Sequence, residues 1–121
     1  MIKTAQALYQ FFSQFGIPAY AEDTIPQNAE LPYLTYSNVD PDWREQRTIH
    51  VQVYYRNQTS NLASLTKADE IMAEIGDCRK LPFDGGLVVL RPVDVQPKPP
   101  DGSVRAAVIS LTINAYHMPG V

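Results

Sequence analysis

Gly16-Ile17-Pro18-Ala19-Tyr20-Ala21-Glu22, continued by Ile25-Pro26 and by Pro32-Tyr33-Leu34-Thr35-Tyr36, is the stretch on which the fold turns. Gly16 ends the segment before it, because glycine takes the left-handed helix cap cheaply. Pro18 keeps the chain from re-entering a helix. Ala19–Glu22 then reads as a short extended piece, and Asp23–Leu31, with Pro26 and Asn28, as a loop. Pro32 opens a strand over Tyr33–Ser37, which is rich in aromatic and β-branched residues.

On the N-terminal side, Ile2, Ala5, Leu8, Tyr9, Phe12 and Phe15 recur at three- and four-residue steps. That spacing predicts an amphipathic helix with these residues on its apolar face. On the C-terminal side, Asn38–Arg47 is polar, carries Asp40-Pro41-Asp42, and reads as an exposed loop or hairpin tip. Thr48–Arg56 alternates, with Ile49, Val51, Val53 and Tyr55 on one face and His50, Gln52, Tyr54 and Arg56 on the other. This is the pattern of a half-buried strand. Thr59 or Ser60 caps a second helix. Its apolar face is Leu62, Leu65, Ala68, Met72 and Ile75, with Ile71 at the margin, and Gly76 closes it.

Asp84-Gly85-Gly86 turns the chain into a strand, Leu87–Arg91, which Pro92 stops. Val93–Gly102, with Pro97, Pro99, Pro100 and Asp101, reads as a long, stiff hairpin loop. Val104–His117 is the last strand. At about 3.3 Å per residue it would reach roughly 45 Å, whereas a domain of this size is about 35 Å across. It must bend, break or project, and a projecting hairpin would expose edges that need a partner. The whole is an α+β fold in the order α-β-β-β-α-β-β: two helices on one face of a mainly antiparallel curved sheet, with a long C-terminal hairpin.

The 121 residues make one domain, 1–121, long enough to bury a core without staples. A net charge of −3 supplies no broad basic field for a nucleic-acid backbone. The single cysteine, Cys78, excludes an internal disulfide framework and a four-cysteine zinc site. No apolar run approaches the roughly 20 residues that span a membrane, and no signal segment opens the chain, so a soluble, cytoplasmic protein is expected.

Catalytic chemistry finds little footing. Cys78 lies beside Arg79, but His50 and His117, the available bases, stand in no recognisable motif. Asp40, Asp42 and Glu45 lack the glycine and the spacing of a calcium loop, and the Asp-Pro-Asp run is ordinary turn chemistry. Tyr54 and Arg56 share a strand face, which alone makes a poor nucleic-acid platform. Trp43 stands in the polar loop as either a lid folded onto the sheet or an interface anchor.

These pieces, in this order, resemble the tail terminator (tail completion) proteins of long-tailed phages and prophages, some described as minor capsid or tail-to-head joining proteins. The likeness rests on Ile17-Pro18-Ala19-Tyr20, Glu22, Ile25-Pro26, the Pro32–Tyr36 strand and Ile49-His50-Val51-Gln52-Val53-Tyr54-Tyr55. Ala68-Asp69-Glu70-Ile71 in the second helix and the long closing strand complete it. The likeness spans nearly the whole chain. It implies helices on a curved sheet and a non-enzymatic homo-oligomeric ring, typically a hexamer, that caps the tail tube and docks to the head connector or neck. It implies no cofactor, metal or catalytic residue, no sequence-specific nucleic acid and no membrane. The protein would sit in the virion tail or neck, and in the bacterial host cytoplasm during assembly. A six-fold ring needs a heterologous contact whose rotation closes. Mild acidity suits a conduit through which DNA slides. Loop residues Asp42, Trp43 and Arg44, and Pro97, Pro99 and Asp101 in the hairpin loop, are the expected interface. The alternative expectation is a small cellular regulatory α+β domain that binds a ligand or peptide.

Overall fold

Helix α1 forms over Ile2–Phe12 and tightens into a 3₁₀ turn at Ser13–Phe15. Gly16 follows with φ 84°, the left-handed cap that its lack of a Cβ permits. The computed structural model describes residues 2–37, 46–57 and 59–117. After α1 come strands β1 (Ala19–Ala21), β2 (Tyr33–Tyr36) and β3 (Arg47–Arg56), then helix α2 (Leu62–Ile75), then β4 (Arg79–Phe83), β5 (Gly86–Pro97) and β6 (Val104–His117). The fold is α+β, with two helices and a curled six-stranded sheet in the order β1-β2-β3-β6-β5-β4. Only the β1–β2 pair is parallel; the remaining pairs are antiparallel.

Strand alternation directs one set of side chains toward the helices. Leu34, Ile49, Val51, Val53, Val88, Leu90, Ile109, Leu111 and Ile113 are all buried in a single cluster with Leu8, Phe11 and Phe12 of α1 and Ala68, Ile71 and Ile75 of α2. Helix α1 packs toward β1, β4 and β5, and α2 over β3, β5 and β6. Lys67 of α2 ties the two helical layers together: its Nζ donates to the Phe15 carbonyl (2.8 Å) and pairs with Glu70 (2.8 Å).

Several details differ from the sequence expectation. On α1 the buried face is Ala7, Leu8, Phe11 and Phe12, whereas Ala5 and Tyr9 are exposed. The aromatic run permits two stripes, and packing against β4 selects the one that contains Phe11. On α2, Ile71 lies at the centre of the buried face and Leu62 is 71% exposed. Asn61 is the N-cap of α2, and Ser60 assists by accepting the Leu62 N–H through its Oγ (2.9 Å). Asn57 Oδ1 gathers the N–H groups of Thr59 and Ser60 just before.

Strand β4 adds to the expected order and pairs with β5 through the Asp84-Gly85 turn. Pro92 does not stop β5. The strand continues to Pro97 past a bulge between Pro92 and Asp94, which an edge tolerates because its outward N–H needs no partner. The hairpin loop is correspondingly shorter than 93–102 and closes in a turn where Asp101 and Val104 exchange backbone hydrogen bonds. β6 neither breaks nor projects alone. Its flanking strands are staggered: β3 pairs with Val104–Ile113, while β5 pairs from Ala107 to His117.

Candidate functional site

Both helices lie on one side of the sheet, so the opposite side is bare. Alternation places Tyr20, Tyr33, Thr35, Gln52 and Tyr54 there, opposite in register across β1, β2 and β3. The three tyrosines form a row. Tyr20 meets Tyr33 edge-on at 5.7 Å between ring centroids, and Tyr33 meets Tyr54 at 5.3 Å. Lys98, just beyond β5, sits 5.8 Å from the Tyr54 centroid and donates to Gln52 Oε1 at 2.9 Å. Tyr54 Oη donates to the same oxygen at 2.7 Å. Burial in this row raises the Tyr54 phenol above its ordinary value; Tyr33 adds to the shift, and a hydrogen bond with Thr35 opposes it.

Farther along the same face stand more cations. Arg56 donates to Ser103 Oγ (2.8 Å), Arg91 approaches Asn114 Oδ1 (3.4 Å), and Lys80 projects from β4. Asp94 and, at the β1 margin, Glu22 are the carboxylates on this side. The face is therefore aromatic and net positive in a chain whose overall charge is −3. The balancing acids lie across the molecule. Asp69, Glu70, Glu74 and, just past the helix end, Asp77 are exposed along α2, against Lys67 and the Glu74–Arg79 pair (3.4 Å).

One row on the bare face touches catalytic chemistry. His50, Ser110 and Asp94 are in register across β3, β6 and β5, and His50 Nδ1 lies 3.2 Å from Ser110 Oγ. A serine bound to an imidazole is the start of nucleophile activation. Here, however, the serine stands between the other two, so Asp94 cannot orient the imidazole as a third member must. Asp94 instead accepts from Gln96 (3.3 Å). A groove of about 320 Å³ runs past these residues along Pro97 and Pro99. Cys78 is exposed, with a free thiol. Among the described residues no three His, Cys, Asp or Glu side chains gather where a metal ion could be held. No helix is long and apolar enough to cross a membrane.

The expected interface residues separate into two groups. Pro97 ends β5, Pro99 follows in the loop, and Asp101 makes the hairpin turn; all three are exposed. Asp42, Trp43 and Arg44 lie outside the described residues, as do Asp40 and Glu45. The strand edge near Pro97 is poorly suited to pairing. Beyond Leu90, β5 has no outer strand among the described residues, but Pro92, the Val93 bulge and Pro97 interrupt its donors, the usual way an edge is blunted.

Sequence reasoning placed Tyr54 and Arg56 together but not Tyr20, Tyr33 or Lys98. These belong to other strands, and only inter-strand register brings them alongside. The available signal was Leu34: once it points inward, its neighbours Tyr33 and Thr35 must point outward. No protein-family model matches the chain, and no curated protein matches it significantly.

Proposed function

We propose that the protein is a structural tail terminator or head–tail joining protein of a long-tailed phage or prophage. It forms a ring, a hexamer by the family resemblance, that caps the tail tube and docks to the head connector or neck. Its mechanism is steric and interfacial: ring binding stops tube growth and presents a new face to the neck. The resemblance along nearly the whole chain supports this reading. The observation that carries it is the two-sided character of the sheet, helix-covered on one side and bare, aromatic and cationic on the other. A subunit built this way keeps a second surface for a neighbour, as a heterologous ring requires.

The test is to add purified protein to isolated tail tubes. Electron microscopy should show rings at tube ends and arrested elongation, and light scattering after size exclusion gives the ring mass. Tube ends that stay bare would sink the reading; a monomer in solution alone would not, since a ring can form on the tube.

A second reading, a small cellular regulatory domain that binds a ligand or peptide, draws support from two features. β6 is paired on both sides within the monomer, and the His50–Pro97 groove offers a concave site. Saturable binding of a peptide in that groove, without tube binding, would favour it.

A further inference from the structure

We infer that the contact between neighbouring copies joins the bare sheet face of one chain to the exposed face of α2 on the next. The occupant of the bare face is thus a second copy of this chain. The inference rests on the ring reading for closure alone; the choice of surfaces comes from charge.

The two surfaces are complementary. Arg56, Lys80, Arg91 and Lys98 make the sheet face positive despite Asp94 and Glu22, while Asp69, Glu70, Glu74 and Asp77 make the α2 face negative. They lie on opposite sides of a two-layer molecule, so each copy offers one to either neighbour. Such a contact is heterologous, and it either closes into a ring or propagates. The surfaces also match in apolar content. Leu62, 71% exposed at the first turn of α2, presents an apolar side chain beside a groove of about 490 Å³. The tyrosine row supplies the flat aromatic surface on which such a side chain packs. The blunted β5 edge argues against strand addition as the joint. A free polyanion on the sheet face would meet a chain that is acidic elsewhere; a second copy brings its acids already placed on one helix.

The test exchanges charges between the surfaces. One variant carries Arg91→Glu and Lys98→Glu; a second carries Asp69→Lys and Glu74→Lys. All four positions are exposed, and circular dichroism with a thermal melt checks that each variant folds. Each alone should lose association by about a hundredfold or more, because like charges then face each other. Mixed one to one, they should reassociate, since an alternating ring with an even number of subunits pairs every reversed sheet face with a reversed helix. A single chain with all four substitutions should also reassociate, whatever the ring number. Sedimentation velocity reads these outcomes in solution, or electron microscopy reads them on tube ends if rings form only there. The inference is overturned if wild type associates but neither the mixture nor the four-substitution chain does. It is also overturned if the helix variant alone still associates, which would mark a sheet-to-sheet contact. Wild-type chain that forms no oligomer in either setting overturns it together with the ring reading. Rings that depend on these faces yet ignore tube ends would uphold the inference and sink the tail-terminator reading.

Discussion

Gly86 is fixed by space. A Cβ there would collide with the Tyr116 carbonyl oxygen and the Phe83 ring. The ring has some freedom to swing, but the oxygen belongs to the β5–β6 ladder, where Leu87 opposes Tyr116, and cannot withdraw without breaking register. Gly86→Ala should therefore cost about 1–3 kcal/mol, read as a lower urea midpoint at unchanged slope; an unchanged midpoint would refute the clash. Two tyrosines make a separate prediction. Tyr36 stacks on Phe12 at 5.1 Å, and burial, with Tyr9 and Asp23 contributing, raises its phenol above the ordinary value of 10.0. Tyr54 is raised as well, chiefly by burial. The folded chain then holds these protons more tightly than the unfolded chain. Stability is complete below the ordinary tyrosine value and falls as pH rises through the folded values. The urea midpoint should decline from about pH 9 to about pH 11, and Tyr36→Phe with Tyr54→Phe should flatten part of that slope. A double variant with the wild-type slope would assign the alkaline loss to other groups.

At the level of elements, α1 separates what sequence can show from what packing decides. Its existence and its end at Gly16 follow from local chemistry, and both are found. Its buried face does not. Tyr9 fits the three- and four-residue spacing, yet it is 54% exposed, while Phe11 is 4% exposed and packs edge-on against Phe12 at 5.1 Å. Period alone cannot choose between overlapping aromatic stripes; the neighbouring strand chooses. Phe12→Ala should cost about 3–5 kcal/mol by leaving a cavity between Phe11 and Tyr36, whereas Tyr9→Ala should stay within about 0.5 kcal/mol. Comparable losses from both would return Tyr9 to the core. β4 escaped notice because Arg79-Lys80-Leu81-Pro82-Phe83 buries only Leu81 and carries a proline. Its identity comes from the Asp84-Gly85 turn that folds it onto β5. Pro92 misled for the opposite reason: a strong local stop signal is tolerated where a bulge on an edge removes the need for its N–H. The bare face was readable strand by strand, through alternation, but the meeting of Tyr20, Tyr33, Tyr54 and Lys98 is a product of register over long sequence separations.

For the whole molecule, the distribution of charge matters more than its sum. A chain of net charge −3 would repel its copies if the charges were spread evenly. Here cations gather on the sheet face and acids on α2, so repulsion between copies is replaced by attraction in one orientation. That orientation carries a salt signature. The screening length falls from about 10 Å at 0.1 M salt to about 3 Å at 1 M, and most of the charges involved are exposed. Association between copies should weaken roughly tenfold as sodium chloride rises across that range, with loss mainly in the association rate. A contact held chiefly by apolar burial would respond the other way, strengthening in sulfate, which is excluded from protein surface. Leu62 and the tyrosine row add an apolar component, so Leu62→Ser should speed dissociation while leaving the sodium chloride dependence intact. Sedimentation and stopped-flow light scattering across a salt series separate the two contributions. Association that is indifferent to chloride and lost with Leu62→Ser would make the joint apolar and remove charge as its organising force.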